Sequence, residues 1–489
     1  MAEQRVGLRA PASAGAGGPS SAPACLAPFA SLYLDPAGRV TACCANTWHP
    51  LGDLRHDGLL DVWRGDAARR LRERLAAGDL GLGCELCAAE VARGAGASAE
   101  RRRFEPLAGA DRTGGGWPRQ LELALSNACN LQCVMCNGEL SSAIRVHREG
   151  RPPLPTVYDD RFFAELDEFL PHLERLFLLG GEPFLGAEPL RVLDRLVERR
   201  LTPEVFVTTN GTQWSPRVER ILSSLPIDVS VSVDGFRPAT VEAIRVGARH
   251  ADLLRNIERY RAATRAHGGG FSLTFCLQRG NWSELGEVLA WGDRLDALVG
   301  VSTLTNPPHL ALSGLVTDEL AEVARDLHAE DRERRSTLGR NLGAWEAALV
   351  RVDGLLAERA RSADPEATPT STSAESRARA WAAAGGPHRL HTDGSQLVRA
   401  VEVGADDGLG PALMALPGRP IRDLIEAVRA VLGPVEGTTL EVHADGVEER
   451  SVRFARAEVR AWIAPAPRGE QVWLVAARPA TAGGCEARG

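Results

Sequence analysis

The stretch Cys129-Asn130-Leu131-Gln132-Cys133-Val134-Met135-Cys136 directly follows the apolar run Leu121-Glu122-Leu123-Ala124-Leu125-Ser126. The run alternates like a strand, and Asn127 and Asn130 mark its exit into a loop. Three thiols on one short loop, with three and then two residues between them, can point at a common centre. They are too few for a closed zinc site, which takes four ligands. They suit a cubane iron–sulfur cluster with one iron left open to a non-protein ligand. Free cysteine is otherwise a small buried hydrophobe, and packing alone does not require three of ten cysteines within eight residues.

Composition narrows the rest. At 489 residues the chain has length for two to four domains, and 44% hydrophobic with 25% charged residues is ordinary for a globular protein. A net charge of −7 argues against a nucleic-acid partner held by a basic field. There is no lysine, so all 57 basic residues are arginine and Schiff-base lysine chemistry is excluded. No apolar run reaches membrane-spanning length, and the N-terminus lacks the apolar centre of a signal peptide. Clustered cysteines without an export signal point to the cytoplasm and to metal ligation, with no membrane partner.

Taken in order, residues 1–24 are low complexity and expected to be disordered. Residues 25–90 form a small cysteine-rich metal module: a hairpin from Phe29–Leu34 and Arg39–Cys43 about Asp35-Pro36-Ala37-Gly38, a helix over Leu59–Ala77, and Cys84-Glu85-Leu86-Cys87. Cys25, Cys43 or Cys44, Cys84 and Cys87 fit either a structural zinc or a cluster by spacing. Residues 91–116 read as a linker in which Arg101-Arg102-Arg103 is a solvated charge run. Residues 117–312 alternate strands and helices. The strands are Leu121–Ser126, Arg175–Leu179, Glu204–Thr209, Asp228–Val233, Phe271–Leu277 and Val299–Leu304. Such repeats imply a parallel sheet with its chemistry at the C-terminal strand ends. Residues 313–361 are a solvated helix or helical hairpin, 362–389 a Pro/Ser/Thr/Ala linker, 390–479 a small α+β domain, and 480–489 a tail carrying Cys485.

The strand ends carry polar motifs. Strand two runs into Gly180-Gly181-Glu182-Pro183, where two glycines admit close backbone approach and the glutamate offers an acceptor. Strand three ends in Thr208-Thr209-Asn210-Gly211. Strand four places Ser230, Ser232 and Asp234 on one face, where they suit ribose and substrate hydrogen bonds or simply fill a narrow barrel. Cys276 on strand five is either a buried small hydrophobe or a thiol that returns a hydrogen atom to a substrate radical.

The C-x-x-x-C-x-x-C loop after strand one and Gly180–Pro183 after strand two resemble the radical S-adenosylmethionine (radical SAM) enzymes. The resemblance implies an α/β fold built on a partial (β/α)6 TIM-like barrel. It also implies that Cys129, Cys133 and Cys136 hold a SAM-binding 4Fe–4S cluster, and that Gly180, Gly181, Glu182 and Pro183 meet the amino group of SAM. Asn210, Ser232 and Asp234 are further candidates for cofactor contact. The 25–90 module resembles the SPASM and twitch domains of such enzymes, although here it precedes the core. That likeness implies a second, auxiliary 4Fe–4S cluster on Cys25, Cys43, Cys84 and Cys87, with Cys44 in place of Cys43 as the alternative. Residues 390–479 resemble a PAS-type sensor fold in pattern alone. The expected activity is reductive SAM cleavage followed by hydrogen abstraction, with a reductant such as flavodoxin or ferredoxin as partner. An auxiliary cluster suits oxidative outcomes, so the expected substrate is a ribosomally made peptide that is crosslinked or dehydrogenated. Dehydrogenation of a small carbohydrate or alcohol is the second reading. An iron–sulfur redox or ligand sensor is the reading from another class.

Overall fold

The computed structural model describes residues 25–46, 49–84, 87–88, 91, 99–109, 111, 115–362, 388–392, 398–402, 409, 413, 424, 428, 435–442, 448–454, 457–465 and 471–479. The expected disordered N-terminus, most of the 362–389 linker, and the tail with Cys485 lie outside those residues.

A single helical turn, Ala27–Ala30, leads into β1 (Ser31–Leu34), which pairs with β2 (Arg39–Thr41) and then β3 (Gly52–Asp53). Asp35 builds the hairpin turn by accepting from the Ala37 and Arg39 amides at 2.8 and 3.0 Å. Gly38 there has φ +93°, and a Cβ would sit 2.7 Å from Val157, so only glycine serves.

Six strands then run in parallel: β4 (Gln120–Leu123), β5 (Arg175–Leu178), β6 (Glu204–Thr209), β7 (Ile227–Ser232), β8 (Phe271–Leu277) and β9 (Leu298–Thr303). Each agrees with its sequence expectation to within a few residues. The sheet order is β3-β2-β1-β4-β5-β6-β7-β8-β9, an open α/β sheet. The hairpin is therefore continuous with the core, for β1 pairs parallel to β4 with Ser31 opposite Gln120 and Leu34 opposite Leu123. Tyr158 adds to the seam by donating to the Asp35 carbonyl.

Strict alternation explains the two faces of the sheet. Val205, Val207, Val229, Val231, Leu273 and Phe275 are buried on one face, each contributing about 1.5–3 kcal/mol. Phe206, Ser230, Ser232, Ser272, Thr274 and Cys276 stand half-buried on the other. Helix starts follow from capping: Asp159 accepts from the Phe162 amide at 3.1 Å, and Ser215 from the Val218 amide at 3.3 Å ahead of Pro216.

The helix expected over Leu59–Ala77 is two, Leu59–Arg64 and Asp66–Ala76, because Gly65 between them is extended. Trp63 is buried where they meet, donating to the Gly116 carbonyl at 2.7 Å beneath the Arg72 guanidinium. The stretch 313–361 holds two helices, Thr317–Thr337 and Leu342–Ser362. Their meeting side is not solvated, since Trp345 is buried and donates to Asp331 at 2.9 Å. Between them Asn341 accepts from the Val299 amide at 2.8 Å, tying the pair to β9.

The C-terminal unit is a six-stranded antiparallel sheet of β10 (His388–Thr392), β11 (Val398–Glu402), β12 (Val435–Val442), β13 (Glu448–Phe454), β14 (Ala457–Pro465) and β15 (Gln471–Pro479). Their order is β11-β10-β15-β14-β13-β12, which sets the first and last strands side by side. The helix expected over Ile421–Leu432 falls mostly outside the described residues, where Leu424 and Val428 are helical and buried.

Candidate active site

The loop after β4 is fixed from both sides before any thiol is considered. The Ser142 hydroxyl accepts from the Cys129 amide at 3.1 Å and donates to the Cys129 carbonyl at 3.2 Å. Ser141 donates to the Leu131 carbonyl at 2.7 Å, and the Gln132 and Val134 amides donate to Val246 and Ile244. Arg148 closes the far end by donating to the Cys133 and Cys136 carbonyls. Cys129, Cys133 and Cys136 are thus held as free, half-buried thiols.

Burial raises the pKa of all three, and that of Cys136 to about 12. Each of Cys133 and Cys136 is raised further by the neighbouring thiols, so the three are close enough to repel when ionised. A cationic metal centre removes that conflict, which is the fit expected of a cluster held by three thiolates.

The next strand ends converge on this loop. Gly180 and Gly181 have φ +70° and +41°, and a Cβ on Gly181 would lie 2.6 Å from the Ala128 carbonyl oxygen. Glu182 donates its amide to that same oxygen at 2.7 Å. Its carboxylate, however, is turned inward and buried. One oxygen accepts from the Thr209 hydroxyl at 2.7 Å and the Phe184 amide at 3.1 Å, the other from the Asn210 amide at 2.6 Å. The expected ammonium acceptor therefore latches β5 to β6, with three of its about four acceptor positions engaged within the chain. Pro183 follows at the turn into the next helix.

Asn210 reaches the loop itself: its amide nitrogen approaches Cys129 Sγ at 3.7 Å and Asn130 Oδ1 at 3.1 Å. Ser232 stays half-exposed on the polar face and accepts from Thr274 at 3.1 Å. Asp234 departs from expectation. Its carboxylate is fully buried, accepting from the Cys276 amide at 2.8 Å and pairing with Arg245 at 2.7 Å, so no ribose can reach it.

Arg245, at the end of the helix Pro238–Ile244, was not legible in the sequence. It is buried beside the cluster loop, and its charge lowers the pKa of Cys133 against the effect of burial. Its own Nε has no hydrogen-bond partner among the described residues. Cys276 lies on the same side, half-buried, with burial first and then Asp234 raising its pKa to about 11.

The second cysteine set lies at the other end of the sheet. Cys25 comes before β1 and Cys43 follows the antiparallel β2, so both lie beyond the N-terminal ends of the parallel strands. Cys25, Cys43, Cys84 and Cys87 line one apolar cavity, and Cys44 is not in its wall. Burial raises Cys25 to about 11 and Cys43 well above its ordinary value, and neighbouring thiols add to both. Among the described residues no three Cys, His, Asp or Glu side chains converge tightly enough to grip a lone metal ion. The four thiols ring a space instead.

Comparison with known proteins matches two segments of the chain. Residues 123–292 match the radical SAM superfamily, and residues 25–88 match SPASM, an iron–sulfur cluster-binding domain. The chain is similar to a GTP 3′,8-cyclase of Streptomyces coelicolor, 29% identical over 146 residues, which cover 29% of this chain and 41% of the relative. It is also similar to the mycofactocin maturase MftC of Mycobacterium ulcerans, 27% identical over 193 residues, or 38% of this chain and 47% of the relative. The matched segments thus span less than half of those relatives. Among solved structures, SuiB of Streptococcus suis bound to its precursor peptide SuiA matches with 15% identity and a TM-score of 0.33, covering 55% of this chain and 60% of that one. The chain therefore carries a radical SAM domain with a SPASM iron–sulfur domain ahead of it, and the cofactors of these domains are SAM, a 4Fe–4S cluster and an auxiliary cluster.

Proposed function

We propose that this chain cleaves SAM reductively and removes hydrogen from a ribosomally made peptide, ending in oxidative crosslinking or dehydrogenation. The observation that carries the reading is the meeting of three thiols, two glycines with positive φ, Asn210 and the buried Arg245 at successive C-terminal strand ends. Held by Cys129, Cys133 and Cys136, a reduced 4Fe–4S cluster would supply the electron for reductive cleavage of SAM, and with it the means of removing hydrogen from the substrate.

The residues have separate tasks. Cys129, Cys133 and Cys136 hold the cluster, and Gly180 and Gly181 let backbone approach the cofactor. Arg245 offers a buried cation with an unsatisfied N–H, suited to a carboxylate. Ser232 belongs to a wall of paired hydroxyls, Ser230 with Ser272 and Ser232 with Thr274, suited to polar substrate groups. Cys276 stays protonated at neutral pH and is a candidate hydrogen donor. Cys25, Cys43, Cys84 and Cys87 hold the auxiliary cluster, an acceptor for the electron that an oxidised product must lose. We assign residues 25–90 to that module, 117–312 to the core, and 390–479 to a unit that recruits the peptide. A flavodoxin or ferredoxin in the cytoplasm would supply electrons.

A relative named as a maturase supports the peptide reading. The GTP 3′,8-cyclase relatives make a nucleotide the second substrate class. The test is anaerobic incubation of reconstituted protein with SAM and dithionite, alone and with GTP or candidate precursor peptides. Absence of 5′-deoxyadenosine would sink the enzymatic reading, and product from GTP alone would overturn the peptide.

A further inference from the structure

The Arg101–Arg103 run is not used by the chemistry above, yet the fold carries it to the auxiliary site. Residues 99–109 pack against the cysteine-rich module, with Phe104 and Leu107 buried. Arg101 and Phe104 complete the wall of the cavity lined by Cys25, Cys43, Cys84 and Cys87.

Arg103 reaches in two directions. One Nη donates to Cys44 Sγ at 3.3 Å, next in sequence to Cys43. The other pairs at 3.0 Å with Glu122, a carboxylate on β4 with no solvent exposure. Glu122 is in register with Phe177 and Phe206, on the polar face of the sheet. Arg175 holds the arrangement by donating to the Arg103 carbonyl at 3.1 Å.

Four thiolates around a cluster carry net negative charge, and an apolar cavity penalises that charge unless a cation lies near. In a chain without lysine the cation must be arginine. We propose that Arg101 and Arg103 are the counter-charge of the auxiliary cluster, and that the Arg103–Glu122 pair links that cluster's charge state to the polar face of the sheet. The proposal rests on Cys25, Cys43, Cys84 and Cys87 holding the cluster. Arg101 and Arg103 are positioning residues and touch no substrate. Cys44 is a neighbour of the cluster bound to its counter-ion.

The sign of each effect follows. Reduction adds an electron to an already negative group, so a lost cation makes reduction harder and a lost anion makes it easier. The experiment uses full-length protein with Cys129, Cys133 and Cys136 replaced by Ala, reconstituted anaerobically, so that only auxiliary iron gives an electron paramagnetic resonance signal. In that background Arg101→Gln with Arg103→Gln is expected to lower the reduced-to-oxidised ratio at fixed potential about tenfold, equal to about 59 mV for one electron. Glu122→Gln is expected to raise it, and Lys at both arginine positions to restore it. Iron retained with an unchanged potential in the Gln variant overturns this proposal alone. Loss of auxiliary iron from the Gln variant supports it if the Lys variant keeps iron, and overturns it if the Lys variant loses iron too. A background protein without iron overturns the ligand assignment and this proposal together.

Discussion

Asp234 and Arg245 form a buried ion pair, Oδ2 to Nη2 2.7 Å, between the end of β7 and the cluster loop. The pair positions a cation beside Cys133, and one partner without the other is an uncompensated buried charge. Replacing Arg245 by Ala is expected to destabilise the cluster-free protein by about 3–5 kcal/mol. Urea denaturation measures that cost. Arg245→Lys keeps the charge but loses the fork, so it is expected to recover stability more than SAM affinity, read by equilibrium dialysis against reconstituted protein.

Gly181 tolerates no side chain. Its φ of +41° and the 2.6 Å that would separate a Cβ from the Ala128 oxygen act together. Gly181→Ala is expected to cost about 1–3 kcal/mol in strain. It should also weaken SAM binding more than Gly150→Ala, whose added Cβ meets nothing within 4 Å although its φ is positive too.

Glu284 makes a pH prediction with a definite sign. Burial alone would raise its pKa, but the Thr240 hydroxyl and the Arg237 and Phe236 amides outweigh burial and lower it. Its folded value lies below its unfolded one, so the stabilisation is complete above the ordinary carboxylate range. It is lost as pH falls through the folded value. Thermal melts of wild type and Glu284→Gln should therefore differ at neutral pH and converge in acid.

Cys276 should resist alkylation at neutral pH, because the thiolate is the nucleophile and its pKa is raised to about 11. Peptide mass spectrometry after iodoacetamide treatment of cluster-free protein checks this. Labelling that is already complete at neutral pH would contradict the buried setting beside Asp234, and with it the reading of Cys276 as a hydrogen donor.

Much of this site was legible because its signals are local. Cys129, Cys133 and Cys136 are spaced on one loop, and the alternation of Val229-Ser230-Val231-Ser232 fixes both faces of β7. What escaped depends on contacts distant in sequence. Glu182 and Asp234 carry suitable chemistry for ligands, but Thr209, Asn210, Cys276 and Arg245 occupy their oxygens, and no spacing announces that. Arg103 read as solvated because its partner Glu122 lies on β4, beyond the reach of the local pattern. In the C-terminal unit β14 escapes a sequence reading because only Ala455-Arg456 separates it from β13, with no glycine or proline to mark a turn. Continuity of β1 with β4 is a pairing across about ninety residues, which local pattern does not encode.

That last pairing has a consequence for biosynthesis. Translation delivers Cys25, Cys43, Cys84 and Cys87 before Gln120–Leu123 exists, so β1 leaves the ribosome paired with β2 on one side and open on the other. The cysteine-rich segment therefore emerges with its thiols reduced before β4 can zip onto β1. Oxygen met during that interval would damage the thiols before they are loaded, so yield of intact protein should depend on anaerobic expression as well as anaerobic assay.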